Sequence, residues 1–136
     1  MFFRYDEKNS IKVPSPFNRT MTPIMTTDLI DRDIDFSVHM TEWDPGARVD
    51  NHSHPDATEM MFCISGEGIA SVDGVEYPFK PDSMIIAFPG MLHQIINTGS
   101  ETLKVLCVFS PPISGKGLKE RADKAVEEAN RSKKNN

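Results

Sequence analysis

The stretch that decides the fold of this 136-residue chain runs Gly46-Ala-Arg-Val-Asp-Asn-His52-Ser-His54-Pro-Asp-Ala-Thr-Glu59-Met-Met-Phe-Cys-Ile-Ser-Gly66. His52 and His54 are two positions apart, so on an extended strand both side chains project from one face. Glu59 lies an odd number of positions further on and would point away if the strand continued. Pro55-Asp56 supplies a turn that can bring Glu59 back to the same side.

A second stretch, Asp82-Ser-Met-Ile-Ile-Ala-Phe-Pro-Gly90-Met-Leu-His93-Gln-Ile-Ile-Asn97, adds a third histidine after a further turn. An isolated His-x-His pair is often just two polar residues on an exposed strand. Here three imidazoles and a carboxylate occur together, a donor set that suits divalent Fe, Mn, Ni, Zn or Cu. The sequence therefore predicts one divalent transition-metal ion per chain, bound by His52, His54, Glu59 and His93, and leaves the identity of the ion open.

The remaining pattern predicts an all-β sandwich or barrel, because short alternating or apolar segments are separated by regular turns. Asp73-Gly74 is a strong signal for a two-residue hairpin, since both positions tolerate positive φ. The predicted strands from Ile34 onward cover residues 35–43, 48–54, 59–64, 69–72, 75–79, 84–88, 92–96 and 103–109.

We expect one domain with three parts. Residues 1–33 form an irregular N-terminal arm that is partly strand and is interrupted by prolines, residues 34–112 form the barrel, and residues 113–136 form a helix with a frayed tail from Ser132. The apolar positions of the helix form a thin stripe at helical spacing, which predicts weak docking or a subunit interface. These positions are Leu118, Ala122, Ala125, Val126 and Ala129.

Composition and charge exclude several classes of function. The net charge of −5 divides unevenly: residues 1–114 carry 16 acidic and 8 basic side chains, and residues 115–136 carry 4 acidic and 7 basic ones. An acidic body argues against a nucleic-acid partner. The chain has no apolar run long enough to span a membrane and no secretory pattern at its start. Its two cysteines are too few for a disulfide framework, so the expected compartment is the cytoplasm.

The two histidine-bearing stretches resemble the two motifs of the cupin superfamily. The first motif, Gly-x5-His-x-His-x4-Glu-x6-Gly, is matched at every fixed position, and the second is matched at Gly90, His93 and Asn97. Two positions depart from the second motif: Asp82 replaces a glycine, and the proline comes one place late at Pro89. The resemblance covers about residues 34–112. It implies a small, jelly-roll-like single-domain cupin barrel with the metal inside, held by the four residues named above.

Strand parity predicts which other side chains face the lumen. Met61 and Cys63 follow Glu59 on one face, Ile95 follows His93, and Asp50 and Arg48 share the face of His52. These five residues are candidates to contact a substrate, although Met61, Cys63 and Ile95 are equally well explained as plain core. His39 is a candidate acid–base residue, with an exposed strand histidine as the alternative. Glu59 is the other candidate catalytic group, because it could accept a proton while it partly neutralises the ion.

Three functions fit these residues. The leading hypothesis is a metal-dependent enzyme that chelates a small oxygen-rich substrate (a carboxylate, keto, enol or sugar derivative) and performs lyase, isomerase or decarboxylase chemistry. The second is an Fe(II)-dependent dioxygenase at the same site. The third is a non-catalytic module that binds or senses a small molecule. The segments at residues 60–64 and 103–109 are apolar on both faces, which predicts a homodimer.

Overall fold

The structure, a computed structural model, describes residues 1–135 and consists of nine strands followed by one helix. A short 3-10 helix, Glu7–Asn9, precedes the first strand. The strands are β1 (Ile11–Val13), β2 (Arg19–Met25), β3 (Ser37–Trp43), β4 (Thr58–Ser65), β5 (Gly68–Val72), β6 (Val75–Phe79), β7 (Met84–Ala87), β8 (His93–Ile96) and β9 (Leu103–Ser110), and the helix is α1 (Gly115–Lys134).

The strands form two antiparallel sheets that enclose the lumen. The larger sheet has the order β1-β2-β3-β9-β4-β7, and the smaller has the order β6-β5-β8. A core cluster between them includes Met61, Cys63, Phe79, Ile95 and Leu103, all of them buried. The predicted all-β, cupin-like barrel with a C-terminal helix is confirmed.

The N-terminal arm contains more regular strand than its prolines suggest. β2 pairs along its length with β3, so the arm extends the larger sheet. The register shifts between Pro23 and Met25, which accommodates a proline that has no N–H to donate. The side chain of Arg19 thereby acquires a fixed position opposite Trp43.

The sequence predicts a regular strand over residues 48–54, and this prediction is wrong. The segment runs beside β8 but forms only two isolated bridges, Arg48 with Ile96 and His52 with His93. Between the bridges, the ring of His52 donates its Nδ1 hydrogen to the carbonyl oxygen of Asp50 at 2.8 Å. This side-chain bond uses a backbone acceptor, as is common where polar residues compete with a sheet ladder.

The turns explain why one departure from the cupin motif is harmless. Asp73 and Gly74 have φ values of 46° and 82°, which confirms the predicted hairpin turn. Asp82 has a φ of 69°, the left-handed conformation that a glycine at this position would adopt without strain. Asn97 structures the next turn, because its amide donates to the carbonyl oxygens of Trp43 and Glu101 and its Oδ1 accepts from the Gly99 amide.

Helix α1 lies over one end of the barrel and packs on a second core cluster. Leu118 and Ala122 are its buried residues, and they contact a group that includes Phe17 and Phe109. The helix begins at an N-cap, Ser114, whose hydroxyl accepts from the Gly117 amide at 2.9 Å. It continues to Lys134, so it extends into the tail that we expected to be frayed, of which Asn136 lies outside the described residues. No helix in residues 1–135 is long and apolar enough to cross a membrane.

Candidate metal centre

Sheet register brings the four expected ligands to one place. His52 and His93 are bridge partners, so their side chains emerge side by side. Glu59 lies near the start of β4, paired with Phe109 of β9 on one side and with Ala87 of β7 on the other. His54 precedes it in the connecting segment, which turns as the Pro55-Asp56 pair suggested.

The donor atoms of His52, His54, Glu59 and His93 all lie within 4.8 Å of one another. Oε2 of Glu59 is 3.0 Å from Nε2 of His54 and 3.0 Å from Nε2 of His93. The three imidazole centroids are 4.3 to 5.2 Å apart. Donors bonded to one transition-metal ion at about 2.0–2.2 Å would be separated by similar distances, so the cluster needs little rearrangement to hold an ion.

The orientation of the rings also fits a metal ion. His52 and His93 each donate the Nδ1 hydrogen to a backbone carbonyl two residues earlier, that of Asp50 at 2.8 Å and that of Met91 at 3.1 Å. These bonds fix the ring and leave Nε2 as the inward donor atom, an arrangement typical of metal-binding histidines. His54 differs, because its Nδ1 lies 3.3 Å from Nη1 of Arg121 on α1.

The protonation of these groups favours cation binding. Burial, reinforced by the neighbouring His93, lowers the pKa of His52 to about 4, so this imidazole is neutral near pH 7. Burial alone would raise the pKa of the Glu59 carboxyl, but hydrogen bonds from His54 and His93 hold it well below its usual range. Burial would lower the pKa of His93, and its bond to Glu59 more than offsets this and raises it. The cluster therefore presents an ionised carboxylate that attracts positive charge.

Three of the four ligands, His52, His54 and Glu59, border a cavity of about 320 Å³ that extends from the lumen to the inner face of α1. Asp50 and Met61 are the predicted substrate-contacting residues that line it. Cys63 and Ile95 belong to the core between the sheets, and Arg48 is an exposed residue that pairs with Asp50 at 3.2 Å. Cys63 and Ile95 are buried but do not line the cavity, which occupies only one end of the barrel. Arg48 lies outside a regular strand, where strand parity does not apply.

Three buried side-chain polar atoms in the described chain have no hydrogen-bond partner, and all three belong to residues that line this cavity. They are Nε of Arg19, Nδ1 of His39 and Nε1 of Trp43. Arg19 and Trp43 are cross-strand partners, and His39 lies on the same face of β3. Buried polar atoms are nearly always paired, so this group indicates a place where a ligand or ordered water supplies the partner.

His39 is an interior residue, 2% exposed, and not the exposed strand histidine that was the alternative. Its ring stacks on Phe109 at a centroid distance of 5.7 Å. Burial lowers the pKa of His39 to about 4, so its ring is neutral near pH 7. Donor atoms of His39, Glu59 and Cys107 also lie within 4.8 Å of one another. His39 is therefore close to the metal ligands, while burial raises the pKa of the Cys107 thiol and keeps that group neutral.

The cavity-lining residues that sequence reasoning missed include Arg19, Trp43 and Arg121. Trp43 shares strand parity with His39 and could have been found from that pattern. Arg19 lies in the arm, where the prolines concealed a strand. Arg121 has no acidic residue four positions away on either side, which sets it apart from its basic neighbours on the helix.

Comparison with known proteins agrees with this geometry. The sequence profile of the cupin domain family matches residues 39–109, which is more than half of the chain and includes all four candidate ligands. The chain belongs to the cupin family. Membership of this family accounts for both the cupin motifs in the sequence and the two-sheet barrel in the structure.

Curated relatives of this cupin include L-ectoine synthases. The enzyme of Saccharophagus degradans is 37% identical over 90 residues, which cover 65% of this chain and 66% of that protein. The enzyme of Bordetella petrii is 33% identical over 100 residues, which cover 71% and 74%. The match thus spans about two thirds to three quarters of the length of these relatives.

Solved cupin structures share the fold at lower identity. Ectoine synthase from P. lautus superposes with a TM-score of 0.71 at 21% identity, covering 89% of this chain and 86% of that one. KdgF from Halomonas sp. gives a TM-score of 0.68 at 19% identity, covering 82% and 93%. At these identities the likeness establishes the barrel architecture and carries no statement about substrate.

Proposed function

We propose that this cupin is a metal-dependent enzyme of lyase type that acts on a small, oxygen-rich organic acid. The observation that carries the proposal is the convergence of three imidazoles and one carboxylate within 4.8 Å at the wall of a cavity large enough for a small metabolite. The named activity of the curated relatives, L-ectoine synthase, supports a lyase over isomerase or decarboxylase chemistry.

In this proposal, some residues of the chain bind the ion and others contact the substrate. His52, His54, Glu59 and His93 would hold one Fe, Mn, Ni, Zn or Cu ion, which when bound supplies Lewis-acid polarisation of a substrate oxygen. Glu59 is the one carboxylate among them, and it can accept a proton while its hydrogen-bonded oxygen stays in place. Phe109 stacks with His39 and meets the edge of His54, so it excludes water from this side of the site.

The unpaired donors on β2 and β3 support an acidic substrate. In residues 1–135 no carboxylate lies within 4.0 Å of the Arg19 guanidinium, and Nε of this group is buried without a partner. The indole N–H of Trp43 can only donate. Two unpaired donors beside a metal centre match the acceptor oxygens of a carboxylate or a carbonyl group.

Metal analysis tests the ligand assignment. We expect wild-type protein purified without chelators to contain about one transition-metal ion per chain, and His93→Ala or His52→Ala to retain less than a tenth of it, because each loses a donor. Gln94→Ala, next to His93 in β8, is the matched control and should keep the metal. Full occupancy in either histidine variant would contradict the assignment.

Turnover tests the reaction class. Because an enzyme accelerates both directions of its reaction, we expect metal-loaded protein to convert added L-ectoine, followed by proton NMR, at a rate that His93→Ala abolishes. Turnover that requires oxygen would instead favour the dioxygenase. Substrate binding that survives chelation, without turnover, would favour the non-catalytic module.

We further propose that the chain acts as a homodimer in the cytoplasm. Apolar side chains on the outer face around β4 and β7 are solvent-exposed, among them Ile64 at 43%, Met84 at 51% and Phe88 at 57%. A patch of this kind is typical of a protein–protein interface. Sedimentation at micromolar concentration should give the mass of a dimer, and a monomeric mass would contradict this. The cytoplasm is supported by the two buried, unpaired cysteines, Cys63 and Cys107.

A further inference from the structure

We infer that Arg121, on helix α1, selects substrates by pairing with a negatively charged group at the mouth of the cavity. The inference rests on the proposed function, because it concerns the same cavity and the same class of ligand. It adds a second recognition element, on the helix rather than on the barrel, and it predicts that the ligand carries an anionic group at the end facing α1.

The charge pattern of α1 singles out Arg121. The ion pairs of the helix join residues four positions apart: Lys116–Glu120, Lys119–Asp123, Lys124–Glu128 and Glu127–Arg131. Three helix cations form no such pair in residues 1–135, namely Arg121, Lys133 and Lys134, and of these only Arg121 lines the cavity. The residues four positions from Arg121 are Gly117 and Ala125, so no such pair is possible. Within residues 1–135 no carboxylate lies within 4.0 Å of its guanidinium.

The position of Arg121 directs its charge toward the metal centre. Leu118 and Ala122, three positions before it and one after it, are buried against the barrel and fix this turn of the helix. The guanidinium lies over the ring of Phe109, with its central carbon 5.1 Å from the ring centroid. Arg121 lines the same cavity as His54, Glu59 and Arg19.

The nearest polar contact of Arg121 also points to a ligand. Its Nη1 donates to Nδ1 of His54 at 3.3 Å. A neutral imidazole carries one hydrogen, so when Nε2 of His54 serves as a metal ligand that hydrogen must be on Nδ1. Nδ1 then has no lone pair for Arg121, and the exposed guanidinium is left without an acceptor from the described protein. A carboxylate of the substrate would supply one.

The acidic residues of the cavity do not fill this role. Glu59 is bonded to two imidazoles, Asp50 is paired with Arg48, and Glu128 is paired with Lys124 at 3.9 Å. Arg121 and Arg19 are therefore the uncompensated charges of the cavity wall in the described chain. A guanidinium presents a rigid fork of donors that matches a carboxylate in two-point geometry, so the fitting ligand is a small carboxylic acid.

Equilibrium binding of succinate to the zinc-loaded protein tests the inference. Trp43 is the only tryptophan of the chain and lines the cavity, so its fluorescence reports occupancy. Succinamide, which has the same carbon chain without charge, is the reference probe. We expect Arg121→Met to weaken succinate binding by about tenfold or more and Arg121→Lys by less, with succinamide binding unchanged. Arg131→Met, on the same helix but outside the cavity wall, should bind both probes as the wild type does.

Zinc content, measured on every sample, separates the possible failures. A wild type that binds none of the candidate ions, zinc included, would overturn the proposed function itself. Zinc-loaded wild type that fails to bind succinate, or Arg121→Met that binds it as tightly as wild type, would overturn the role of Arg121 alone. Loss of zinc in Arg121→Met would show that Arg121 positions His54 and would also overturn the inference. In zinc-free protein the effect of Arg121→Met should be smaller, because His54 there offers Arg121 an acceptor.

Discussion

The barrel and helix α1 enclose the same cavity but are held in place by different interactions. On the barrel side, ladders between β3, β9 and β4 set the positions of the cavity-lining residues on those three strands, such as His39, Glu59 and Phe109. On the helix side, α1 is held by two buried side chains, an N-cap and the carboxylate of Asp28, which accepts from the Gly115 and Lys116 amides.

The two tasks that we propose for the site, metal binding and recognition of a charged ligand, therefore fall on different parts of the structure. Metal geometry tolerates little error, and two of the four donors, Glu59 and His93, come from backbone that is paired on both sides. Recognition of a charged ligand at the mouth tolerates more adjustment, and Arg121 comes from an element with few anchors. We therefore expect substitutions in the barrel to change folding and metal binding together, and substitutions in α1 to change ligand binding or local order alone.

A pair of glycine substitutions should give the largest contrast between the two regions. A Cβ on Gly68 would lie 2.2 Å from the carbonyl oxygen of Ile96, so Gly68→Ala should destabilise the fold by about 3 kcal/mol or more. A Cβ on Gly117 would meet the side chain of Ile113 at 2.9 Å, which can move, and alanine favours a helix. Gly117→Ala should therefore stay within about 1 kcal/mol of wild type. Urea unfolding followed by Trp43 fluorescence measures both, and equal losses would contradict the comparison.

The pH dependence of folding stability tests the barrel side of this comparison. Burial lowers the pKa of His39 to about 4 in the folded chain, whereas in the unfolded chain it is near 6.5. Between these values the unfolded state binds the extra proton, so folding stability falls as pH falls. For His39 alone the loss is about 2 kcal/mol between pH 6.5 and 4.5. His52 adds a similar loss, since its pKa is also lowered to about 4.

His39→Leu in metal-free protein measures this contribution. Urea midpoints at pH 6.5 and pH 4.5 should differ less in the variant than in the wild type, because the loss from His39 is gone. The lowered pKa values of His52, Glu59 and Asp28 act in the same direction in both proteins. The raised pKa of His93 makes folding stability increase as pH falls. This effect is present in both proteins, so it cancels when they are compared. An identical pH dependence would show that His39 is not buried in neutral form.

The cap of α1 should give the smallest effect, confined to the helix. Ser114→Ala removes the acceptor for the Gly117 amide and should cost about 1 kcal/mol. Amide exchange should become faster in α1 and stay unchanged in β4. Ser100→Ala, at an exposed turn position, is the control. Faster exchange throughout the barrel would mean that α1 and the barrel unfold as one unit.

The sequence was sufficient where the chemistry is local. The Asp73-Gly74 turn follows from backbone preferences at two positions, and the spacing of His52 and His54 fixes a shared face. The proximity of His93 needed the cupin resemblance, because no local rule pairs residue 93 with residue 52. The docking of α1 over the cavity could not be predicted, since a thin apolar stripe does not identify its partner.

β3 shows why the lining of the site was harder to predict. Its polar residues Ser37, His39 and Thr41 are buried, while Val38 and Met40 on the other face are partly exposed. This reverses the usual rule that the apolar face of a strand points inward. The reversal has a physical reason: the inner face of β3 borders the cavity and its polar groups. Val38 and Met40 lie on the outer face of the same sheet as the apolar patch around β4 and β7 that we assign to a dimer.

Ser132, two residues before the last helical residue of α1, also lines the cavity, and this has a practical consequence. A polyhistidine tag fused behind the helix would begin beside the opening and offer six competing imidazoles to the same ion. Tyr5, by contrast, contacts Glu42 of β3, whose side chain alternates with those of the cavity-facing Thr41 and Trp43. Tagging that end keeps the foreign imidazoles on the opposite side of the sheet, where elemental analysis stays interpretable.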